Sequence, residues 1–346
     1  MKILVTGATG FIGRRVTKSL AEQGHELGLL VRPESIQKAR DQFRSYPSIQ
    51  YIEADISRND VVTNVRGATE TFLQEAESVL HLAGQYDLSL PLEKAYAHNV
   101  IGTQNMVWFA RHLPKLSIFH HISSYAVNAH CDGFVSEDHL DTSAKLPDHY
   151  AQTKLQSESI VRQADWKTAR LRIYRPGVIV GDSRTGEMDK IDGPYFFFKL
   201  FRDLRKHQAY TRHIPFFPVV GSPGAHVPLL PVDTITQWMT HMVGHPTEHA
   251  RRSYHLVSQE KIFVEQFLRL SLDAFGVPIK VKRLPETRLL DPILPLLGLP
   301  AEISPYLYSI ANFSRENIDQ DFPELKAPLL EDYLLRLVAG CEELLR

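Results

Sequence analysis

Residues 2–13 read Lys2-Ile3-Leu4-Val5-Thr6-Gly7-Ala8-Thr9-Gly10-Phe11-Ile12-Gly13. The short apolar run Ile3–Thr6 predicts a strand buried on both faces. Three glycines spaced three apart follow at once. Arg14–Gln23 then has helical spacing, with Val16 and Leu20 on one face. Strand, glycine turn and helix together are the context in which this spacing cradles a dinucleotide. Gly7 allows the tight turn, Gly10 lets the backbone approach a pyrophosphate, and Gly13 lets helix and strand pack closely. The helix N-terminus offers unpaired N–H groups to the anion. Thr9, Phe11 and Ile12 belong to the same turn and are expected to line the cofactor site. The plain alternative is a glycine turn that holds nothing.

The alternation continues outward from this stretch. Glu26–Val31, Gln50–Ala54, Ser78–Ala83, Leu116–Ser123 and Ala169–Tyr174 read as strands, and Ala95–Arg111 and His149–Gln163 as helices. Short apolar runs separated by helix-period segments predict an α/β fold with a doubly wound parallel sheet, the Rossmann arrangement. After about residue 175 the rhythm changes. Proline and aromatics rise, as in Tyr195-Phe196-Phe197-Phe198 and Pro215-Phe216-Phe217-Pro218. Val227–Pro231 reads as a buried segment and Tyr254–Val257 as a strand, a return to the sheet. The expected organisation is a dinucleotide-binding domain over 1–180 with a return segment at 227–260. Segments 181–226 and 261–346 form a smaller, discontinuous, mostly helical substrate or lid domain. Pro292, Pro295, Pro300 and Pro305 forbid a single helix through Leu289–Phe313. That stretch is open between a lid, plain core and a membrane-facing patch.

Composition removes several function classes. The 346 residues hold 39 Lys+Arg against 40 Asp+Glu, a net charge of −1, so no nucleic-acid partner is expected. Two cysteines, Cys131 and Cys341, make no disulfide scaffold and suit a reducing, cytoplasmic setting. The run after Met1 is too short for a signal-peptide core, and no stretch reaches the roughly 18 apolar residues of a spanning helix. His241, His245 and His249 have helical spacing, but Gly244 and Pro246 interrupt it and no acidic or cysteine partner is near in sequence. No metal site is expected.

The cofactor's identity is read at the end of the second strand. An NAD site places an acid there for the ribose 2′-hydroxyl. This sequence has Leu30-Val31-Arg32-Pro33. Arg32 is placed for a 2′-phosphate, with Arg14 or Arg15 available from the first helix turn, so NADP(H) is expected. Asp55 and Ile56, just past the third strand, would sit beside the adenine. Tyr150-Ala151-Gln152-Thr153-Lys154 puts a phenol and an ammonium on one helix face. The lysine is expected to lower the tyrosine pKa and to hold the nicotinamide ribose. His120-His121-Ile122-Ser123-Ser124 ends a strand, where ligands meet a parallel sheet. Ser124 is the candidate for orienting a substrate carbonyl, with Ser123 as the fallback.

These motifs resemble the extended short-chain dehydrogenase/reductases over roughly residues 1–260. The resemblance implies that Ser124, Tyr150, Lys154 and Asn99 are catalytic, Asn99 as a proton relay. It also implies that Leu82, Ala83 and Gly84 meet the cofactor, joined near the nicotinamide by Pro176, Gly177 and Val178. A narrower likeness lies in Arg175–Glu187 and its continuation Met188–Lys199, which are similar to thioester reductases and to the N-terminal half of bacterial two-domain fatty acyl-CoA reductases. It implies a small-molecule, lipid-like acyl substrate, reduced from thioester to aldehyde, from aldehyde to alcohol, or through both steps. Those enzymes continue into a second reductase half, whereas this sequence ends at Arg346. Tyr86, Tyr125, Asp182, Tyr195 and Phe198 are then expected to face the substrate, with Phe196, Phe197, Phe201, Tyr210, Phe216 and Phe217 enriching its region. A nucleotide-sugar epimerase or dehydratase, another ketone reductase of the superfamily, and a non-catalytic NADP-sensing regulator are the rival readings. Peripheral membrane contact and a homodimer stay open.

Overall fold

Strand β1 (Lys2–Thr6) has Ile3, Leu4 and Val5 fully buried, because layers of helix cover both faces of its sheet. The computed structural model describes residues 1–62, 65–86, 90–207, 213–284 and 288–346. Beyond β1 the chain forms α1 (Phe11–Glu22), β2 (Glu26–Val31), α2 (Ile36–Gln42), β3 (Gln50–Glu53), α3 (Ala68–Glu75) and β4 (Ser78–His81). There follow α4 (Leu92–Tyr96), α5 (Gly102–Ala110), β5 (Ile118–Ile122), β6 (Gly133–Val135), α6 (His149–Gln163) and β7 (Arg170–Pro176). A π turn, Ala97–Ile101, joins α4 to α5, so the long helix expected there carries a bulge.

The seven-stranded sheet, closed at one edge by β11 (Arg251–Leu256), runs β11-β7-β5-β4-β1-β2-β3, with every pairing parallel. Strand β11 is the late strand that returns to it. The doubly wound parallel sheet is therefore as the sequence predicts. Chain order reverses between β1 and β4, and the carboxyl ends there, Thr6 and His81, open onto the crevice where such sheets bind ligands. Helix α8 (Val232–Gly244), part of the segment read only as a return to the sheet, packs Trp238 and Met239 with Val16 and Leu20 of α1.

A second core lies beside the sheet. Its elements are β8 (Val178–Val180), α7 (Tyr195–Lys206), β9 (Phe217–Val219), β10 (Leu229–Pro231), α9 (Val264–Ala274) and β12 (Val281–Arg283). Residues Arg288–Leu297 and Ala301–Ile303 are 3₁₀ turns, followed by α10 (Ser304–Leu307), β13 (Ala311–Phe313), α11 (Glu316–Asp321) and α12 (Leu330–Leu344). The prolines break Leu289–Phe313 as expected. Phe198, Phe201, Phe267 and Phe275 are almost completely buried against Leu334 and Leu337 of α12. Residues 318–327 depart from the expected grouping. Ile318, Phe322, Leu325 and Ala327 pack with Trp238 and Tyr254 in the sheet's core, not with the second one. Tyr210 lies outside the described residues.

Candidate active site

The glycine turn owes its shape to two close approaches. Gly7 has φ +72°, and a Cβ there would lie 2.6 Å from Ala83 N. A Cβ on Gly13 would lie 2.0 Å from the Gly7 carbonyl oxygen, so only glycine brings α1 this near the turn. The neighbouring strand end is tied in by a relay that the sequence reading did not anticipate. The Thr6 hydroxyl accepts Ala83 N–H at 3.1 Å and shares a hydrogen bond with His81 Nδ1 at 2.8 Å, while His81 Nε2 meets Thr103 Oγ1 at 3.1 Å. Burial drives His81 down to about 3, so it is neutral and can accept at one nitrogen while donating at the other. This fixes Leu82–Gly84 against the turn.

One cavity of about 690 Å³ extends from this turn across the carboxyl ends of the strands. At the dinucleotide end its wall includes Gly7, Thr9, Gly10, Phe11, Ile12 and Gly13, with Arg32, Asp55, Ile56, Leu82, Ala83 and Gly84 around them. Arg32 stands at the tip of β2 beside Ser35, its guanidinium paired with Glu34 at 3.2 Å. Arg14 and Arg15 are not on this wall. Arg14 grips Asp189 through both nitrogens and Arg15 meets Glu187 at 3.0 Å, pinning Met188–Pro194 as a roof over the cavity. They are thus engaged away from the 2′-phosphate position the sequence suggested for them.

Ser124, Tyr150 and Lys154 all line this cavity, as do Pro176, Gly177 and Val178. Asp148 caps α6, accepting Ala151 N–H at 2.8 Å, and so sets the first helical turn that carries Tyr150. The buried Lys154 ammonium donates to the Ile122 carbonyl at 2.5 Å. Its burial brings it down to about 8, opposed in part by Glu158. Burial pushes the Tyr150 phenol up to about 12, with the hydrogen bond to Ser124 restraining the rise. The expected lowering of Tyr150 by Lys154 is therefore absent, because the ammonium is turned to the strand carbonyl and desolvation dominates. At neutral pH the phenol keeps its proton and is suited to give one away.

Tyr86, Tyr125 and Tyr195 line the cavity, and Tyr86 packs edge-on to Tyr150 with ring centroids 5.0 Å apart. Asp182 and Phe198 are not on its wall, and neither are Phe196, Phe201, Phe216 and Phe217. Asp182 folds its own turn, its carboxylate accepting Arg184 N–H at 2.9 Å and Thr185 N–H at 3.0 Å. Phe198 faces the second core against Phe267 and Phe275, and its neighbour Phe197 takes the place on the wall. Asn99, in the π turn, is buried behind the wall. Its carbonyl accepts Gln85 N–H at 2.8 Å and its amide donates to Thr153 Oγ1 at 3.0 Å, so it positions the loop before Tyr86 and does not face the cavity.

Phe197, Val264, Phe267, Ile303 and Leu307 give the cavity wall an apolar part contributed by the second core and the segment around α10. Tyr306, Ser309, Phe313 and His226 also reach the cavity, and none of these was singled out from sequence. Among the described residues no group of three His, Cys, Asp or Glu side chains could hold a metal ion.

Residues 5–239 match the model of the Male sterility protein family, well over half of the chain. The chain belongs to this family. As a member it is 26% identical to the aldehyde reductase lnbA of Aspergillus flavus over 98% of this chain and 35% of that one. It is 25% identical to human fatty acyl-CoA reductase 2 over 74% of this chain and 57% of that one. The chain thus spans about a third to somewhat over half of these curated relatives. Its fold is that of the terminal R domain from the myxalamid PKS-NRPS biosynthetic pathway, with TM-score 0.74 and 20% identity over 99% of this chain and 90% of that one. The Bacillus cereus UDP-glucuronic acid 4-epimerase shares the fold at TM-score 0.67 and 18% identity, covering all of both chains.

Proposed function

We propose that the protein is an NADPH-dependent reductase of a long-chain acyl carbonyl. The observation that carries this reading is the single cavity that joins the glycine turn, the Ser124–Tyr150–Lys154 centre and an apolar part of the wall. Family membership supports a nicotinamide cofactor, and the relatives named for aldehyde and fatty acyl-CoA reduction support the carbonyl chemistry. Arg32 and Ser35 on the wall, where Glu34 holds Arg32 but does not itself line the cavity, favour the 2′-phosphate form. Segments 181–226 and 261–310 supply the apolar part and act as the substrate part of the molecule.

When bound, the cofactor supplies a hydride to the carbonyl carbon. Ser124 and Tyr150 hydrogen-bond the carbonyl oxygen, where negative charge develops. Tyr150, protonated at neutral pH, delivers its proton to that oxygen. Lys154 provides positive charge beside the ribose position. An aldehyde becomes the alcohol; a thioester gives a hemithioacetal that expels thiol and leaves the aldehyde. Phe197, Val264, Phe267, Ile303 and Leu307 receive the chain and offer nothing that matches a sugar diphosphate.

The test is cofactor oxidation with acyl-CoA thioesters and aldehydes of increasing chain length, with a UDP-sugar in parallel and NADPH against NADH. Each added methylene buried contributes about 0.8 kcal/mol, so kcat/KM is expected to rise about fourfold per carbon before levelling. A flat chain-length profile, or turnover of the UDP-sugar alone, removes the acyl reading.

A further inference from the structure

The segment around α10 reaches the reaction centre from beyond the region matched by the family model, which stops at residue 239. The Tyr306 hydroxyl, from α10, donates to Asp148 Oδ2 at 2.5 Å. The other oxygen of that carboxylate accepts Ala151 N–H at 2.8 Å and caps the helix bearing Tyr150. The Tyr306 ring also leans on Tyr125, with centroids 6.1 Å apart, and Tyr125 directly follows Ser124. Tyr125 in turn packs edge-on against Phe313 at 5.6 Å, while the Ser309 hydroxyl donates to the Ala129 carbonyl at 2.6 Å. One α10 side chain is thereby braced against both segments that present a hydroxyl to the carbonyl.

Building on the reductase reading, we propose that Tyr306 is a positioning residue for Tyr150, acting through Asp148. The segment around α10 contributes Ile303, Tyr306 and Leu307 to the cavity wall, so a bound chain lies against it. The hydrogen bond to Asp148 ties α10 to the first turn of α6, where it fixes the aim of the proton donor. Misplacing such a donor slows the chemical step more than it weakens binding, since the hydroxyl engages fully only as charge develops.

The experiment compares Tyr306→Phe, Asp148→Asn and the double variant in full-length protein with NADPH and a long-chain aldehyde. Each single change is expected to lower kcat about tenfold, the scale of a lost charge-assisted hydrogen bond, with KM and NADPH Kd held within about twofold. Because one residue acts through the other, the double variant should be no slower than the slower single one. The solvent deuterium isotope effect on kcat should rise in all three. Additive losses, a kcat for Tyr306→Phe within about twofold of wild type, or a rise in KM alone would overturn the proposal. If wild type reduces no carbonyl, the reductase reading has failed on its own. Amide exchange then decides the positioning role. Tyr306→Phe should speed exchange at Ala151 and Gln152 severalfold, and unchanged exchange there overturns it.

Discussion

Replacing Lys154 by methionine is expected to abolish turnover without destabilising the cofactor-free protein at neutral pH in proportion to the contact it removes. The ammonium is buried and ionises at about 8 against a reference of 10.5. That depression corresponds to about 3 kcal/mol by which the folded state disfavours the charged lysine. The sign follows from proton counts. Between pH 8 and 10.5 the unfolded chain keeps a proton that the folded one has lost, so wild-type stability rises with pH across this window. Below pH 8 both states are charged and the whole penalty persists. Methionine lifts the penalty but strands the Ile122 carbonyl, a loss of about 1–3 kcal/mol. The two nearly cancel at pH 7. The cleaner quantity is the stability difference between variant and wild type, in which the other titrating groups drop out. It should move by about 3 kcal/mol in favour of wild type between pH 7 and 10.5. Urea unfolding of both proteins at pH 7, 8.5 and 10 measures it. A difference that stays constant to within about 0.5 kcal/mol would refute the buried, depressed ammonium.

Tyr150→Phe should lower turnover by roughly 10²–10⁴-fold while cofactor affinity, measured by fluorescence titration, hardly changes. Arg32→Asp should weaken NADPH by about 1.5–3 kcal/mol and spare NADH; wild type that binds NADH as tightly as NADPH would contradict the reading of β2. Gly13→Ala places a methyl 2.0 Å from the Gly7 carbonyl oxygen and should sharply reduce dinucleotide binding, seen by calorimetry, in a protein that still shows native circular dichroism. Phe201→Ala, in the middle of the second core, should cost about 3–5 kcal/mol in urea unfolding.

The dinucleotide end of the cavity was legible in the sequence because its parts are local. A strand, three glycines and a helix within Lys2–Glu22 carry their geometry in their spacing, and Tyr150 and Lys154 share a helix face by period alone. The apolar part was not. Ile303, Tyr306 and Phe313 sit in short, proline-broken pieces with no periodic signature, and long-range contacts, the pairing of β13 with β6 and the packing of Tyr306 and Phe313 on Tyr125, draw them to Ser124's loop. Phe198 was misassigned because Tyr195 and Phe198 lie three apart on one helical stripe, and most of that stripe turns to the core. Asp182 had a local explanation that was available. An acid followed by Ser183-Arg184-Thr185-Gly186 is a turn former, and its carboxylate serves the turn. Asn99 was placed on the right helix, but its π turn could not be read from composition.

The second core has a temporal consequence. The stripe Tyr195, Phe198 and Phe201 is closed by Leu334, Leu337 and Cys341 of α12, some 130 residues later in the chain. At a synthesis rate of roughly 5–20 residues per second, these rings wait on the order of ten seconds for the helix that covers them. Until then the nascent chain leaves that side of the aromatic surface open, Phe267 and Phe275 having covered only part of it, beside a sheet that already has most of its strands. Translation speed and the chaperones that shelter exposed rings therefore bear on the yield of folded protein, even though neither acts on the finished structure.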